Sequence, residues 1–164
     1  MKPHLLSQHQ GFREGTNVTG APQKKTGGHM SLNSKRHVDQ DHSSLKGIRV
    51  LVVEDTWQVA KALKSALEQV GMDVSGPAAT TAEARRLIAQ HMPCVAVVDV
   101  NLKREMACSL IEELHDQGVS VVVVSGYAVP PVSADKAAAI LQKPFSATEL
   151  LTALHDAVAR NQIH

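Results

Sequence analysis

The sequence predicts an α/β fold built on a doubly wound parallel sheet of five strands. Short runs rich in β-branched residues alternate with amphipathic helical patterns about five times along the chain. Several runs are apolar at nearly every position, which is typical of strands buried on both faces of a parallel sheet. Most of them end in a charged or hydroxyl residue, so the sheet is expected to gather polar groups along one edge.

The run at residues 95–98 is the most informative of these strands, because it leads directly into Asp99, and Asn101 follows two positions later. In open α/β sheets, ligands bind outside the carboxyl ends of the strands. Asp99 is therefore expected at the mouth of a site. On this residue alone, a plain role as the cap of the next helix is equally consistent.

Composition sets the class of protein. A chain of 164 residues is long enough for one domain with a core, and that core must be aliphatic because only 2% of the residues are aromatic. The net charge of +1 gives no electrostatic reason to expect nucleic-acid binding. Cys94 and Cys108 lack metal-site spacing, and no stretch has the length of a membrane span or the pattern of a signal peptide. We therefore expect a soluble, cytoplasmic protein with free thiols.

Residues 1–46 differ from the rest of the chain. They carry seven Lys or Arg against three acidic residues and show little apolar periodicity. We interpret them as a disordered basic tail. The alternative, a metal-binding tail, rests on five irregularly spaced histidines: His4, His9, His29, His37 and His42. The folded domain is expected at residues 47–160, followed by a short tail at 161–164.

The first half of that domain gives two strands and two helices. A strand at residues 48–53 ends in Glu54 and Asp55, and the following helix ends at Gly71. A short second strand occupies residues 72–77. A capping box at residues 80–83 then opens the second helix, and the strand that carries Asp99 follows.

The second half continues the alternation with one irregular member. A third helix closes at Gly118, and a buried strand at residues 119–124 ends in Ser125. Residues 128–135 contain two consecutive prolines, so the fourth helix is expected to be shortened or irregular. The last strand, residues 137–142, ends in Lys143, and a second capping box at 146–149 opens the final helix.

The predicted strand ends carry Glu54 with Asp55, Asp99 with Asn101, Ser125, and Lys143. Carboxylates gathered at one edge repel one another unless a cation joins them, and Mg²⁺ prefers such oxygen ligands. Asp55, Asp99 and the backbone carbonyl of Asn101 would ligate the ion, with Glu54 acting through water. Asp99 would then serve as a nucleophile towards a phosphoryl group whose oxygens Ser125 and Lys143 hold. Each residue alone also fits a plain structural role.

Residues 47–160 resemble a response-regulator receiver domain in residue type, order and spacing. The resemblance implies the flavodoxin-like fold with strand order 2-1-3-4-5, and it makes Asp99 the phosphoacceptor. It also implies Mg²⁺ (or Mn²⁺ as a substitute) held by Asp55, Asp99 and the Asn101 carbonyl, with Glu54 completing the acidic pocket. Ser125 would be the switch hydroxyl and Lys143 the phosphate contact, with a cis Lys143–Pro144 bond.

The sequence departs from the usual receiver pattern at two places, and both departures are similar to one subgroup of receivers. Ile140 stands where receivers usually carry an aromatic residue, and the fourth helix is broken by prolines. Together with the Val-Ser-Gly-Tyr sequence at residues 124–127, these features are similar to the FATGUY group of single-domain alphaproteobacterial receivers, although Val123 replaces the phenylalanine that this group prefers. Such receivers work with HWE-type or related histidine kinases. Tyr127 is either an alternative aromatic switch or a cover for the rim of the site.

The resemblance implies a single-domain response regulator rather than a turnover enzyme. It would take a phosphoryl group from a sensor histidine kinase or a phosphotransfer protein, and signal by binding another protein or by acting as a phosphate sink or relay. We expect no DNA-binding output domain, no membrane association, and a monomer or weak dimer. Two alternatives remain open: a phosphorylation-independent interaction module, and a haloacid-dehalogenase-like phosphatase. The latter needs a second aspartate where this chain has Asn101.

Overall fold

The computed structural model describes residues 42–161. The expectations for residues 1–41 and 162–164 lie outside this range. The elements, in chain order, are a 3-10 helix at His42–Leu45, β1 Arg49–Val53, α1 Trp57–Gln69, β2 Asp73–Ala78, α2 Thr81–Gln90, β3 Val95–Asp99, β4 Asn101–Leu102, β5 Glu105–Met106, α3 Cys108–Asp116, β6 Ser120–Ser125, a 3-10 turn at Ala134–Lys136, β7 Ala139–Gln142 and α4 Ala147–Asn161.

Five of the strands form one parallel sheet in the order β2-β1-β3-β6-β7. β4 and β5 pair only with each other and do not belong to this sheet. Numbered without them, the five strands lie in the order 2-1-3-4-5, which confirms the prediction. All five residues of β3 are buried, as a central strand covered on both faces requires. Side chains of α1 and α4 pack on one face of the sheet, and those of α2 and α3 pack on the other. The carboxyl ends of the central strands therefore meet at one open edge.

The predicted helix starts are confirmed in detail. Thr80 Oγ1 accepts a hydrogen bond from the Glu83 amide, and Ser146 Oγ accepts one from the Glu149 amide. The Glu149 carboxylate in turn accepts from the Ser146 amide at 2.7 Å, which completes a reciprocal capping box. The fourth helix is reduced to the 3-10 turn at Ala134–Lys136. This is the irregular connection that the prolines predicted.

Two features differ from the sequence-based expectation. Ordered structure begins before residue 47, because Leu45 is fully buried in the core beneath α1 and α4. A single apolar residue in a polar stretch carries no periodicity that would predict this. The second feature is the β4–β5 hairpin, which lies immediately after Asp99 in a stretch where no strand was expected. Within residues 42–161, no helix is long and apolar enough to cross a membrane.

Candidate functional site

Four adjacent strands deliver the predicted site residues to one edge of the sheet. Glu54 and Asp55 directly follow β1, and Asp99 is the last residue of β3. Ser125 is the last residue of β6, and Lys143 directly follows β7. Because β1, β3, β6 and β7 are successive neighbours in the sheet, these residues converge although they are far apart in sequence.

Lys143 is the centre of the polar contacts. Its Nζ lies 2.8 Å from Glu54 Oε2 and 2.6 Å from Asp99 Oδ2. Glu54 and Asp99 are only 2% and 5% exposed, so neither carboxylate is well solvated. Burial by itself lowers the pKa of Lys143, but the hydrogen bonds to Asp99 and Glu54 outweigh it and hold that pKa above its usual value. The ammonium therefore stays charged at neutral pH and bridges two acids.

A backbone amide fixes each of the three carboxylates. The Thr56 amide donates to Glu54 Oε1 at 2.9 Å, and the Asn101 amide donates to Asp99 Oδ1 at 3.0 Å. The Lys103 amide, at the turn of the β4–β5 hairpin, donates to Asp55 Oδ2 at 2.6 Å. Amide hydrogen bonds of this kind set the direction of the remaining oxygens.

The acidic residues fit a hard divalent cation. One carboxylate oxygen from each of Glu54, Asp55 and Asp99 lies within 4.8 Å of the others. Oxygen ligands at the open edge of a sheet suit Mg²⁺, which keeps several waters and takes few protein ligands. The main chain of Asn101 adjoins Asp99 through the amide contact, so its carbonyl stays the predicted backbone ligand.

Ser125 and Lys143 are joined through their main chains. The Lys143 amide donates to the Ser125 carbonyl at 2.8 Å, and the bond from Lys143 to Pro144 is cis, as expected. The Ser125 side chain is completely buried, and its Oγ accepts from the Tyr127 amide at 3.0 Å. The switch role of Ser125 stays a prediction.

Tyr127 and Ile140 lie on the surface. Tyr127 is 47% exposed, and Ile140, on β7 opposite Val123, is 40% exposed. Ile140 therefore brings an aliphatic side chain to the position of the usual receiver aromatic. Both readings of Tyr127, as a switch or as a cover, stay open as predictions.

Sequence reasoning missed two parts of the site. One is the Lys103 amide on Asp55, which depends on a hairpin whose Lys103-Arg104 turn lacks the usual glycine or asparagine signal. The other is a largely apolar groove of about 470 Å³ between α1 and residues 143–150. Val59, Ala62, Leu63, Phe145 and Leu150 line it, as does Lys143, whose ammonium contacts Glu54 and Asp99. The helical spacing of the α1 residues predicted a buried face, but not that part of it stays open.

Comparison with known proteins agrees with this geometry. Residues 50–155 match the family described as "Response regulator receiver domain". Among curated proteins, the chain is similar to the transcriptional regulatory protein PdtaR of Mycobacterium tuberculosis, with 29% identity over 117 residues. That match covers 68% of this chain but only 57% of the relative, so the chain spans little more than half of PdtaR.

Solved structures share the fold. A receiver domain protein from Clostridium thermocellum aligns with a TM-score of 0.64 and 20% identity, covering 71% of this chain and 98% of that one. A CheY-like receiver from Methanospirillum hungatei JF-1 aligns with a TM-score of 0.62 and 25% identity over the same shares of the two chains. The anti-anti-sigma factor PhyR from Bartonella quintana aligns at 0.64 with 19% identity, covering 76% of this chain and 53% of PhyR.

Proposed function

Because this chain belongs to the response regulator receiver domain family of two-component signalling, we propose that it accepts a phosphoryl group on Asp99 in a Mg²⁺-dependent reaction. The observation that carries the proposal is the contact of Lys143 Nζ with Asp99 Oδ2 inside a cluster of three carboxylates. A nucleophilic carboxylate, a fixed ammonium and a cation site are the parts that phosphoryl transfer needs.

The positions of these groups support the following reaction. An oxygen of Asp99 attacks the phosphorus of a phosphohistidine, the O–P bond forms, and the P–N bond breaks with its electron pair left on the imidazole. Asp55, Asp99 and the Asn101 carbonyl would hold Mg²⁺, with Glu54 through water, and the bound ion supplies neutralising charge for the phosphoryl oxygens. Lys143 already lies against Asp99 and would contact the transferred group. Ser125, on the neighbouring strand β6, would donate its hydroxyl hydrogen to a remaining phosphoryl oxygen.

The direct test is covalent labelling of the full chain. With Mg²⁺ and acetyl phosphate, we expect a mass increase of one phosphoryl group that hydroxylamine removes and that EDTA prevents. Sustained release of phosphate from phosphate esters would instead support the dehalogenase-like phosphatase. A chain that takes no label from acetyl phosphate or from any histidine kinase would contradict the proposal and favour a phosphorylation-independent module.

We propose that the phosphoryl donor is an HWE-type or related histidine kinase, or a phosphotransfer protein, and that it docks in the groove beside α1. The support is continuity, since Lys143 borders both the groove and Asp99. A helix that carries the phosphohistidine could lay its apolar face on the groove and reach Asp99.

A charge placed in the groove is expected to slow phosphoryl transfer from a histidine kinase but not labelling by acetyl phosphate. Ala62→Glu, at an exposed position of α1, should slow transfer from a purified HWE-type kinase that labels the wild type by roughly 10-fold, because a buried interface charge costs affinity. Labelling by acetyl phosphate should not change. Ala89→Glu, the same change on exposed α2, is the matched control. Equal effects of the two variants on kinase transfer would argue against docking at this groove.

The proposed output is a change in residues 126–138, which connect β6 to β7. No residue of this segment is fully buried, although Val132 and Ala137 pack against the core. Its 3-10 turn also forms an exposed ion pair of 3.1 Å between Lys136 and Asp116. Solvent screens an exposed pair of this kind, so it adds little stability. A new charge at Asp99 that draws on Ser125 would therefore meet little resistance here, and a partner protein would read the altered surface.

A further inference from the structure

The β4–β5 hairpin is tied to helix α2 by one carboxylate. Glu105, opposite Leu102 in the hairpin, accepts two hydrogen bonds from Thr81, the first residue of α2. The Thr81 amide lies 2.8 Å from Glu105 Oε1, and the Thr81 hydroxyl lies 2.8 Å from Oε2. Thr81 itself is buried, so both donors are in a fixed position.

Thr81 is itself held in place by a contact that extends to α3. Arg85, one turn after Thr81, donates to the Thr81 hydroxyl oxygen at 3.2 Å. Its guanidinium also forms a two-point contact with Glu113 of α3, at 2.8 and 2.7 Å. Thr81 is thus held by contacts within α2 and with α3 that do not involve the hairpin.

The same hairpin also contacts the acidic residues. The Asn101 amide donates to Asp99 only two residues away, whereas the Lys103 amide donates to Asp55 on another strand end, so this second contact depends on where the hairpin lies. Two residue pairs joined by a turn without glycine or asparagine do not hold a hairpin in place by themselves. The base of the hairpin is held by the Ala107 amide, which donates to the Val100 carbonyl at 2.9 Å, and by the buried Leu102 side chain. The Glu105 contacts tie the turn end of the hairpin to α2.

We propose that Glu105 is a positioning residue for the magnesium site. By accepting hydrogen bonds from Thr81, it fixes the position of the hairpin, and the hairpin in turn places the Lys103 amide that orients Asp55. The inference rests on the proposed function and extends it to a residue with no place in the acidic cluster. The hydrogen bonds from the Thr81 amide and hydroxyl also hold the pKa of Glu105 below its usual value, so the carboxylate is ionised at neutral pH.

Substitution of Glu105 should weaken magnesium binding more than it weakens the reaction. For Glu105→Ala, we expect the Mg²⁺ dissociation constant from calorimetry to rise roughly 10-fold, as for other residues that orient metal ligands. The labelling rate at saturating Mg²⁺ should stay within about 2-fold of wild type, since Asp99 and Lys143 are untouched. A general loss of structure would instead weaken Mg²⁺ binding, slow labelling at saturating Mg²⁺ and lower the melting temperature together.

Two further variants separate position from charge. Glu105→Gln removes the charge but keeps an oxygen for the Thr81 amide, so its Mg²⁺ affinity should stay near wild type. Glu112→Ala, which removes an exposed carboxylate of α3, is the control for net charge. A wild-type Mg²⁺ affinity in Glu105→Ala, or an equal loss in Glu105→Gln, overturns the positioning role while labelling of the wild type still supports the proposed function. A wild-type chain that neither binds Mg²⁺ nor takes label overturns both.

Discussion

Replacing Asp99 by asparagine is expected to abolish labelling by acetyl phosphate and by a histidine kinase. The amide has nearly the shape of the carboxylate, but its oxygen is a far weaker nucleophile towards phosphorus. The site should otherwise survive, because the Asn101 amide can still donate to the new side-chain oxygen. Intact-mass measurement before and after incubation gives the result directly.

Stability separates this loss of chemistry from loss of structure. Asp99→Asn loses the ion pair with Lys143 but also relieves the repulsion among three carboxylates within 4.8 Å, so the melting temperature without Mg²⁺ should stay close to that of wild type. Asp73→Asn is the matched control: the same change at the first residue of β2, at the opposite end of the sheet, should label normally. If Asp99→Asn takes label at the wild-type rate, the acceptor is another residue.

The acidic part of the site could be predicted because its residues stand at the ends of strands that the sequence pattern reveals. A parallel sheet brings the carboxyl ends of its strands to one edge, so Glu54, Asp55, Asp99 and Lys143 are predicted to meet once the strands are recognised. The structure joins Lys143 to Glu54 and Asp99, and it groups the three acids. Strand order and the broken fourth helix follow from equally local signals.

The supporting contacts could not be predicted because they depend on tertiary position alone. Glu105 reaches Thr81 across 24 residues, and neither residue belongs to a motif that announces the pairing. The hairpin has no typical turn residues, and its strands of two residues are too short to show alternation. Which carboxylate the Lys103 amide would contact follows only from the folded path of that hairpin.

Replacing Lys143 by methionine is expected to slow labelling by about 10²–10³-fold, the usual cost of removing one fixed group that stabilises developing negative charge. Methionine keeps much of the length of the lysine side chain but has no ammonium. Initial labelling rates at saturating Mg²⁺ and acetyl phosphate measure the effect. Lys64→Met, which removes one partner of an exposed ion pair with Glu68 on α1, should label at the wild-type rate.

Lys143→Met should also show what Lys143 contributes to the protein before phosphorylation. Without it, Glu54 and Asp99 lose their shared charged donor, which should destabilise the metal-free protein by roughly 1.5–3 kcal/mol. Mg²⁺ should then bind more tightly than in wild type, because the ammonium no longer competes for the same oxygens, and it should recover part of the lost melting temperature. Slower labelling together with tighter Mg²⁺ binding would assign Lys143 to the transferring group rather than to the metal. Weaker Mg²⁺ binding would instead show that the ammonium holds the acids in place for the ion.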